Sequence, residues 1–209
     1  SIRLGLPTFE DEGMQDDPEL ETQKEEHQSY SVYEQAQRYR AAKAVLQDIY
    51  ALDAEHAEAV KALEQLWEEG YTVAAHQLGK FYRDDLSTLR DHEKAEEWFR
   101  RSAEAGNDFS EYALGKLLLT QKRWEEALGW LGKAADHGNQ FARYRLGKIY
   151  LAGESVPKDV AKALAYLTAS ADQGNQFAQY TLGKLYLLGR DVPPDHKQAK
   201  EWLIRAAAQ

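Results

Sequence analysis

A chain of 209 residues with 43% apolar side chains has room for one domain or one short solenoid, and enough apolar surface to build a core. It has no cysteine, which excludes disulfides, thiolate nucleophiles and Cys-ligated zinc or iron–sulfur centres and fits a reducing, cytoplasmic compartment; it also lacks the apolar run of about 18 residues that a membrane-spanning helix needs. The net charge of −9 rests mainly on residues 1–28, where nine acids face only Arg3 and Lys24. The rest of the chain is close to neutral and offers no electrostatic footprint for DNA or RNA.

Ser1 stands where an initiator Met would be, which reads as a processed or excised chain, and no secretory signal comes after it. Residues 1–28 combine many charges with few large apolar side chains, so a disordered acidic tail is expected. Ser29 to about Ala51 and Ala54 to Glu69 read as two helices. Ala59 and Leu63 precede Gly70 by eleven and seven residues, the spacing at which Ala95 and Phe99 precede Gly106. Residues 29–69 are therefore expected to form a degenerate leading hairpin that caps a stack of helices begun at Gly70.

From Gly70 onward the chain repeats itself. Gly70, Gly106, Gly138 and Gly174 are separated by 36, 32 and 36 residues. A Leu-Gly-Lys is centred nine positions after each: Leu78-Gly79-Lys80, Leu114-Gly115-Lys116, Leu146-Gly147-Lys148 and Leu182-Gly183-Lys184. Ala95, Ala127, Ala163 and Ala199 recur further on, then Trp98, Trp130, Tyr166 and Trp202, and Ala103, Ala135, Ala171 and Ala207 close the units. This predicts four units, 70–105, 106–137, 138–173 and 174–209, each a pair of helices.

Gly153 to Pro157 and Gly189 to Pro194 stop the first helix of their units. Asp91, Asp159 and Asp195 then stand where a side-chain oxygen can cap the second. The second unit is four residues shorter and keeps only the tight turn Thr120-Gln121-Lys122-Arg123. The Gly of Leu-Gly-Lys leaves room for the second helix, whose small alanines are expected to face it, while the Trp/Tyr stripe packs as core. No such unit buries its apolar face alone, so the units must stack, giving an all-α, α/α superhelical solenoid of helix-turn-helix repeats. The last helix, with Trp202, Leu203 and Ile204, has no successor, which predicts either further protein or a homodimer through this end.

The pattern Gly-Asn-x-x-Ala-Gln-Tyr-x-Leu-Gly-x-x-Tyr…Gly…Val-Pro-x-Asp…Ala…Trp-Leu…Ala-Ala, best seen in residues 138–209, resembles the Sel-one-like repeat, a relative of the tetratricopeptide repeat. The resemblance covers about 70–209, weakens in the second unit and is faint over 29–69. It implies a non-catalytic adaptor or scaffold for protein complexes. Leu-Gly-Lys-Leu-Tyr-Leu together with Gly-Asn-Gln-Phe-Ala-Gln-Tyr is also similar to repeats appended to bacterial mobilisation proteins, the relaxases of conjugative elements. That likeness implies an accessory region of a DNA-processing enzyme in a bacterial mobile element, with no direct nucleic-acid contact of its own.

The face of each first helix opposite its Leu/Tyr packing face carries the residues three, six, ten and thirteen after the opening Gly. They are Val73, His76, Lys80 and Arg83; Phe109, Tyr112, Lys116 and Leu119; Phe141, Tyr144, Lys148 and Leu151; and Phe177, Tyr180, Lys184 and Leu187. The resemblance implies that first helices line the concave surface. Lys80, Lys116, Lys148 and Lys184 would then form a ladder for the carboxylates of an acidic peptide, with Tyr112, Tyr144, Tyr180, His76 and Arg83 beside it. The bland alternative buries Phe and Leu between units and leaves each lysine head in water. The acidic segment 1–28 is a further candidate for this groove, in its own or a neighbouring molecule.

Catalytic chemistry is not expected. The six histidines show no zinc spacing and read as solvated or capping residues, no phosphate-cradling glycine loop or nucleophile elbow appears, and Glu68-Glu69 and Glu96-Glu97 read as wet helix faces. No metal and no cofactor are expected.

Overall fold

The computed structural model describes residues 18–84 and 89–209, with side chains from Ser31 onward. Ten helices succeed one another, and there is no strand among the described residues: α1 (Pro18–Gln47), α2 (Asp53–Glu68), α3 (Val73–Arg83), α4 (His92–Glu104), α5 (Asp108–Thr120), α6 (Trp124–Asp136), α7 (Gln140–Ala152), α8 (Val160–Asp172), α9 (Gln176–Leu188) and α10 (His196–Ala207). Each helix packs on those before and after it, so the molecule is a row of helical hairpins. The expected solenoid is the fold. No described helix is long and apolar enough to cross a membrane.

The opening glycines make the joints. Gly70, Gly106, Gly138 and Gly174 have φ of 91°, 91°, 90° and 95°, a left-handed conformation that stops one helix and turns the chain into the next. The residue after the glycine then starts the new helix in three units. Asn107, Asn139 and Asn175 accept from the backbone N–H of Ser110, Ala142 and Ala178, each at 2.9 Å. The second helix of a hairpin is capped by aspartate as expected. Asp159 and Asp195 accept from Lys162 and Gln198 at 3.0 Å, and Asp91 from Glu93 and Lys94. In the shortened unit Lys122 takes the left-handed turn without glycine (φ 59°), and Arg123 caps α6 without a side-chain hydrogen bond.

Close approach within a hairpin depends on the glycine of Leu-Gly-Lys. A Cβ on Gly147 would lie 2.6 Å from Leu167 Cγ and 3.2 Å from the Ala163 carbonyl oxygen. The same large neighbour sits against the other three: Phe99 on Gly79, Leu131 on Gly115 and Leu203 on Gly183. The alanines face the glycine as expected, but a larger side chain fills the space. Ala163 and Ala199 bring the second helix's backbone near, and the Phe or Leu four residues later occupies the space. Leu78, Leu114, Leu146 and Leu182 are buried, and with Phe99, Leu131 and Leu167 they build three successive core clusters along the stack. Burying each leucine contributes roughly 1.5–3 kcal/mol before chain entropy is counted.

Polar bonds also join helices, within a unit in the first and third of the following cases and between units in the second. Ser170 Oγ donates to the Gln140 carbonyl at 2.8 Å, Gln179 Nε2 to that of Ala171 at 3.1 Å, and buried Glu111 takes His137 Nδ1 at 2.8 Å. Trp98 meets Trp67 edge to face at 6.2 Å across units, whereas Tyr166 stacks on Tyr150 within its own.

The leading hairpin differs from the sequence reading in three ways. Helix α1 starts at Pro18, so residues 18–28, read as tail, are helical; residues 1–17 of that tail lie outside the described residues. The segment is charged but rich in Glu, Gln, Lys and Leu, all strong helix formers, with proline at the first helical position where no N–H is missed. Glu69 is exposed as read but ion-paired: its carboxylate accepts both Arg38 Nη atoms at 2.7 and 2.8 Å, and that pairing holds its pKa at about 2. His56 is not solvated. It is 1% exposed, its Nε2 lies 3.0 Å from the Asp48 carbonyl oxygen, and it meets Phe81 edge-on.

Candidate functional site

The starting helices α3, α5, α7 and α9 stand side by side with their residues in register, and this turns the sequence row into a continuous stripe. The residue six after each opening Gly meets the residue three after the next one. His76 lies 6.4 Å from Phe109, Tyr112 lies 6.0 Å from Phe141, and Tyr144 lies 6.0 Å from Phe177, centroid to centroid. These are offset, tilted pairs of the kind aromatic rings prefer. The phenylalanines are not sealed between units: Phe109, Phe141 and Phe177 are 56%, 41% and 63% exposed. Tyr180, at the end of the stripe, is exposed as well.

The lysines run alongside. Lys116 Nζ sits 4.6 Å above the Tyr112 ring and Lys184 Nζ 5.5 Å above Tyr180. Lys148 and Lys184 are exposed, Lys80 and Lys116 half-buried. Burial, then the charges of Arg83 and Arg145, holds the Lys116 ammonium below the ordinary lysine range. Toward the C-terminal hairpin the stripe deepens into a cleft of ≈ 470 Å³, lined by Tyr144, Lys148, Phe177, Tyr180, Lys184 and Leu188 among others. Its walls are apolar and aromatic, and its rim carries the cations Lys148, Lys184 and Arg190 with one acid, Asp191, which pairs with Lys158.

Two of the nine residues singled out in the sequence have a structural role. His76 is half-buried: its Nδ1 lies 2.5 Å from Ser110 Oγ, which donates on to Ser102 Oγ at 2.6 Å, and its ring also meets Phe99. Burial, then Lys80 and Arg83, pushes its pKa down to about 4, so at neutral pH it is an uncharged link between α3, α4 and α5. Arg83 pairs with Asp84 at 2.9 Å and lies over Phe99. Lys80, Lys116, Lys148, Lys184, Tyr112, Tyr144 and Tyr180 all border the stripe. Arg145, seven after its opening Gly, also reaches it and was not singled out in the sequence. The signal was an arginine at a position that the other units fill with Gln77, Ala113 and Thr181.

Among the described residues no group of three or more His, Asp or Glu could hold a metal ion. The arrangement offers contact area and cations, the chemistry of recognition.

The sequence model of the Sel1 repeat matches residues 72–107, 125–139, 140–175 and 176–209, more than half of the chain. The chain belongs to the Sel1 repeat family. Its shortened hairpin is matched only over α6 and the start of the next joint. Among solved structures, a Sel1 repeat protein from Oxalobacter formigenes is 30% identical with a TM-score of 0.71, covering 83% of this chain and 72% of its own. A protective antigen of uropathogenic Escherichia coli with an SLR fold is 26% identical, also at 0.71; the match covers 83% of this chain but only 38% of the antigen. A putative Sel1 repeat protein from Klebsiella pneumoniae, 21% identical at a TM-score of 0.50, matches over 87% of this chain and 89% of its own and shares the fold. No curated protein matches the chain. Sel1 repeats are generally non-catalytic scaffolds for protein–protein interaction.

Proposed function

We propose that this Sel1 repeat chain is an adaptor that holds an acidic, aromatic-containing peptide segment of a protein partner along the face of α3, α5, α7 and α9. The observation that carries this reading is the run of tilted aromatic pairs with exposed phenylalanines, bordered by Lys116, Lys148 and Lys184, in a chain whose net charge is −9. Exposed aromatics with adjacent cations supply apolar area and charge selection together. The partner works in the cytoplasm and contacts the chain without chemistry. A second copy of the chain is a secondary candidate at the C-terminal hairpin, where Leu188 and Ile204 are 53% and 58% exposed, and the mass in solution tests it.

The test is fluorescence anisotropy with a labelled, end-capped peptide of alternating Glu and Phe. The pair Lys148→Glu and Lys184→Glu replaces two attractions with two repulsions. It is expected to weaken binding by about tenfold or more while the helical spectrum stays intact. Equal affinity for the wild-type chain and the double variant would refute the reading.

A further inference from the structure

Arg145 is the least satisfied cation on the stripe. It is half-buried, its Nε is sealed from solvent with no hydrogen-bond partner, and among the described residues no carboxylate lies within ion-pair distance of it. A guanidinium carries five donors in a fixed fork, and leaving a buried donor unmatched costs about 1–3 kcal/mol. A fold that merely needed a side chain at this position would be served by the Gln, Ala or Thr found in the other units.

Its neighbours sharpen the point. Arg83, Lys116 and Arg145 come from three consecutive starting helices, at thirteen, ten and seven residues after their opening glycines, so each step along the stack moves back about one helical turn. The three form a diagonal across the stripe, close enough for Arg83 and Arg145 both to disfavour the charge on Lys116. The fourth unit ends the diagonal with buried Ala178. Arg83 pairs with Asp84 at 2.9 Å, and the same carboxylate acts on Lys116, which leaves Arg145 as the one of the three without an acid beside it among the described residues. Tyr112 lies under Lys116 and is paired with Phe141, so the cationic spot is flanked by ring surface.

We infer that Arg145 and Lys116 form a carboxylate-binding subsite that takes an Asp or Glu side chain of the bound peptide, with an aromatic side chain of the same peptide on Tyr112 and Phe141. This rests on the adaptor reading above and gives it a register. One carboxylate at this spot satisfies the Arg145 fork bidentately and relieves the repulsion between Arg145 and Lys116.

The test uses the full chain and the same capped peptide in three forms: one central Glu between two Phe residues, its Gln counterpart, and its phosphoserine counterpart. The Glu form is expected to bind about tenfold or more tightly than the Gln form, as a charge-assisted hydrogen bond gives. Arg145→Gln and Lys116→Met are each expected to abolish that preference, so that within each variant the Glu and Gln forms bind alike. Without peptide, Arg145→Gln is expected to melt no lower than wild type, since it removes an unmatched group; a purely structural arginine would show a clear drop. A Glu/Gln preference that survives in both variants overturns the subsite, even if Lys148→Glu/Lys184→Glu still weakens binding. Tighter binding of the phosphoserine form overturns the carboxylate assignment. Absence of binding by any form, at low salt, overturns the adaptor reading itself.

Discussion

Gly147→Ala is a small change whose outcome separates packing from helix propensity. Alanine is favoured over glycine in a helix interior by about 1 kcal/mol, so on propensity alone the substitution stabilises α7. The packing says the reverse. The new methyl would stand 2.6 Å from Leu167 Cγ and 2.9 Å from its Cδ2, against a relaxed carbon–carbon contact of about 3.5–4.0 Å. Leu167 is fully buried and cannot swing aside, and the Ala163 carbonyl oxygen at 3.2 Å blocks the other direction. Overpacking of this kind costs about 1–3 kcal/mol, so after the propensity gain a net loss of up to roughly 2 kcal/mol is expected, or up to about 8 °C in the melting midpoint for a chain of this size. Gly129→Ala on α6 is the control: it is exposed, helical and has nothing within 4 Å of a new Cβ, so it is expected to gain about 0.5–1 kcal/mol. Far-UV circular dichroism during heating and urea titration measures both, read as midpoint shifts because stacked repeats unfold in segments as well as together. The reasoning is refuted if Gly147→Ala melts at or above wild type while Gly129→Ala rises.

Three further outcomes are expected. His76 is held neutral in the fold, with its pKa pushed down to about 4 from an ordinary 6.5, so its contribution is full above pH 6.5 and is lost as the pH falls toward 4; the stability gap between wild type and His76→Gln, measured by urea titration from pH 7 to pH 4, should shrink by up to roughly 3 kcal/mol. Asn139→Ala removes the cap of α7 and a 3.2 Å bond from its Nδ2 to Asp108, and should lower stability by about 1–2 kcal/mol in the same assay, with the Asn139→Asp variant retaining most of the capping. Affinity for the Glu/Phe peptide should drop several-fold between about 50 and 200 mM salt, as contacts between partly exposed charges do; an affinity independent of salt would mean that the lysine row is not engaged.

Most of the architecture was legible because the units repeat. Four copies of Gly, Leu-Gly-Lys and Ala…Trp/Tyr at intervals of 36, 32 and 36 residues define hairpins, and the Asp159 and Asp195 caps could be named from their place after a Gly/Pro break. What stayed hidden depends on contacts between units. The stripe of paired rings arises because position six of one helix meets position three of the next, a relation that no single repeat contains. The burial of His76 comes from the same junction, through Ser110 and Ser102 on two other helices. The role of Arg145 was obscured because the lysine recurs in every unit, whereas the informative cation is the one that breaks the repeat. The acidic segment reads as disordered up to residue 28 when its charge is weighed above its helix propensity, yet α1 begins at Pro18.

The central claim is that the ring stripe between α3 and α9 is where a partner peptide lies. NMR titration of the aromatic side chains with the Glu/Phe peptide tests it most directly. Saturable shifts are expected at Tyr112, Phe141, Tyr144, Phe177 and Tyr180, with Trp98, Trp130 and Trp202 on the other helices unmoved. Shifts centred on those tryptophans, with the tyrosines and phenylalanines silent, would contradict the account.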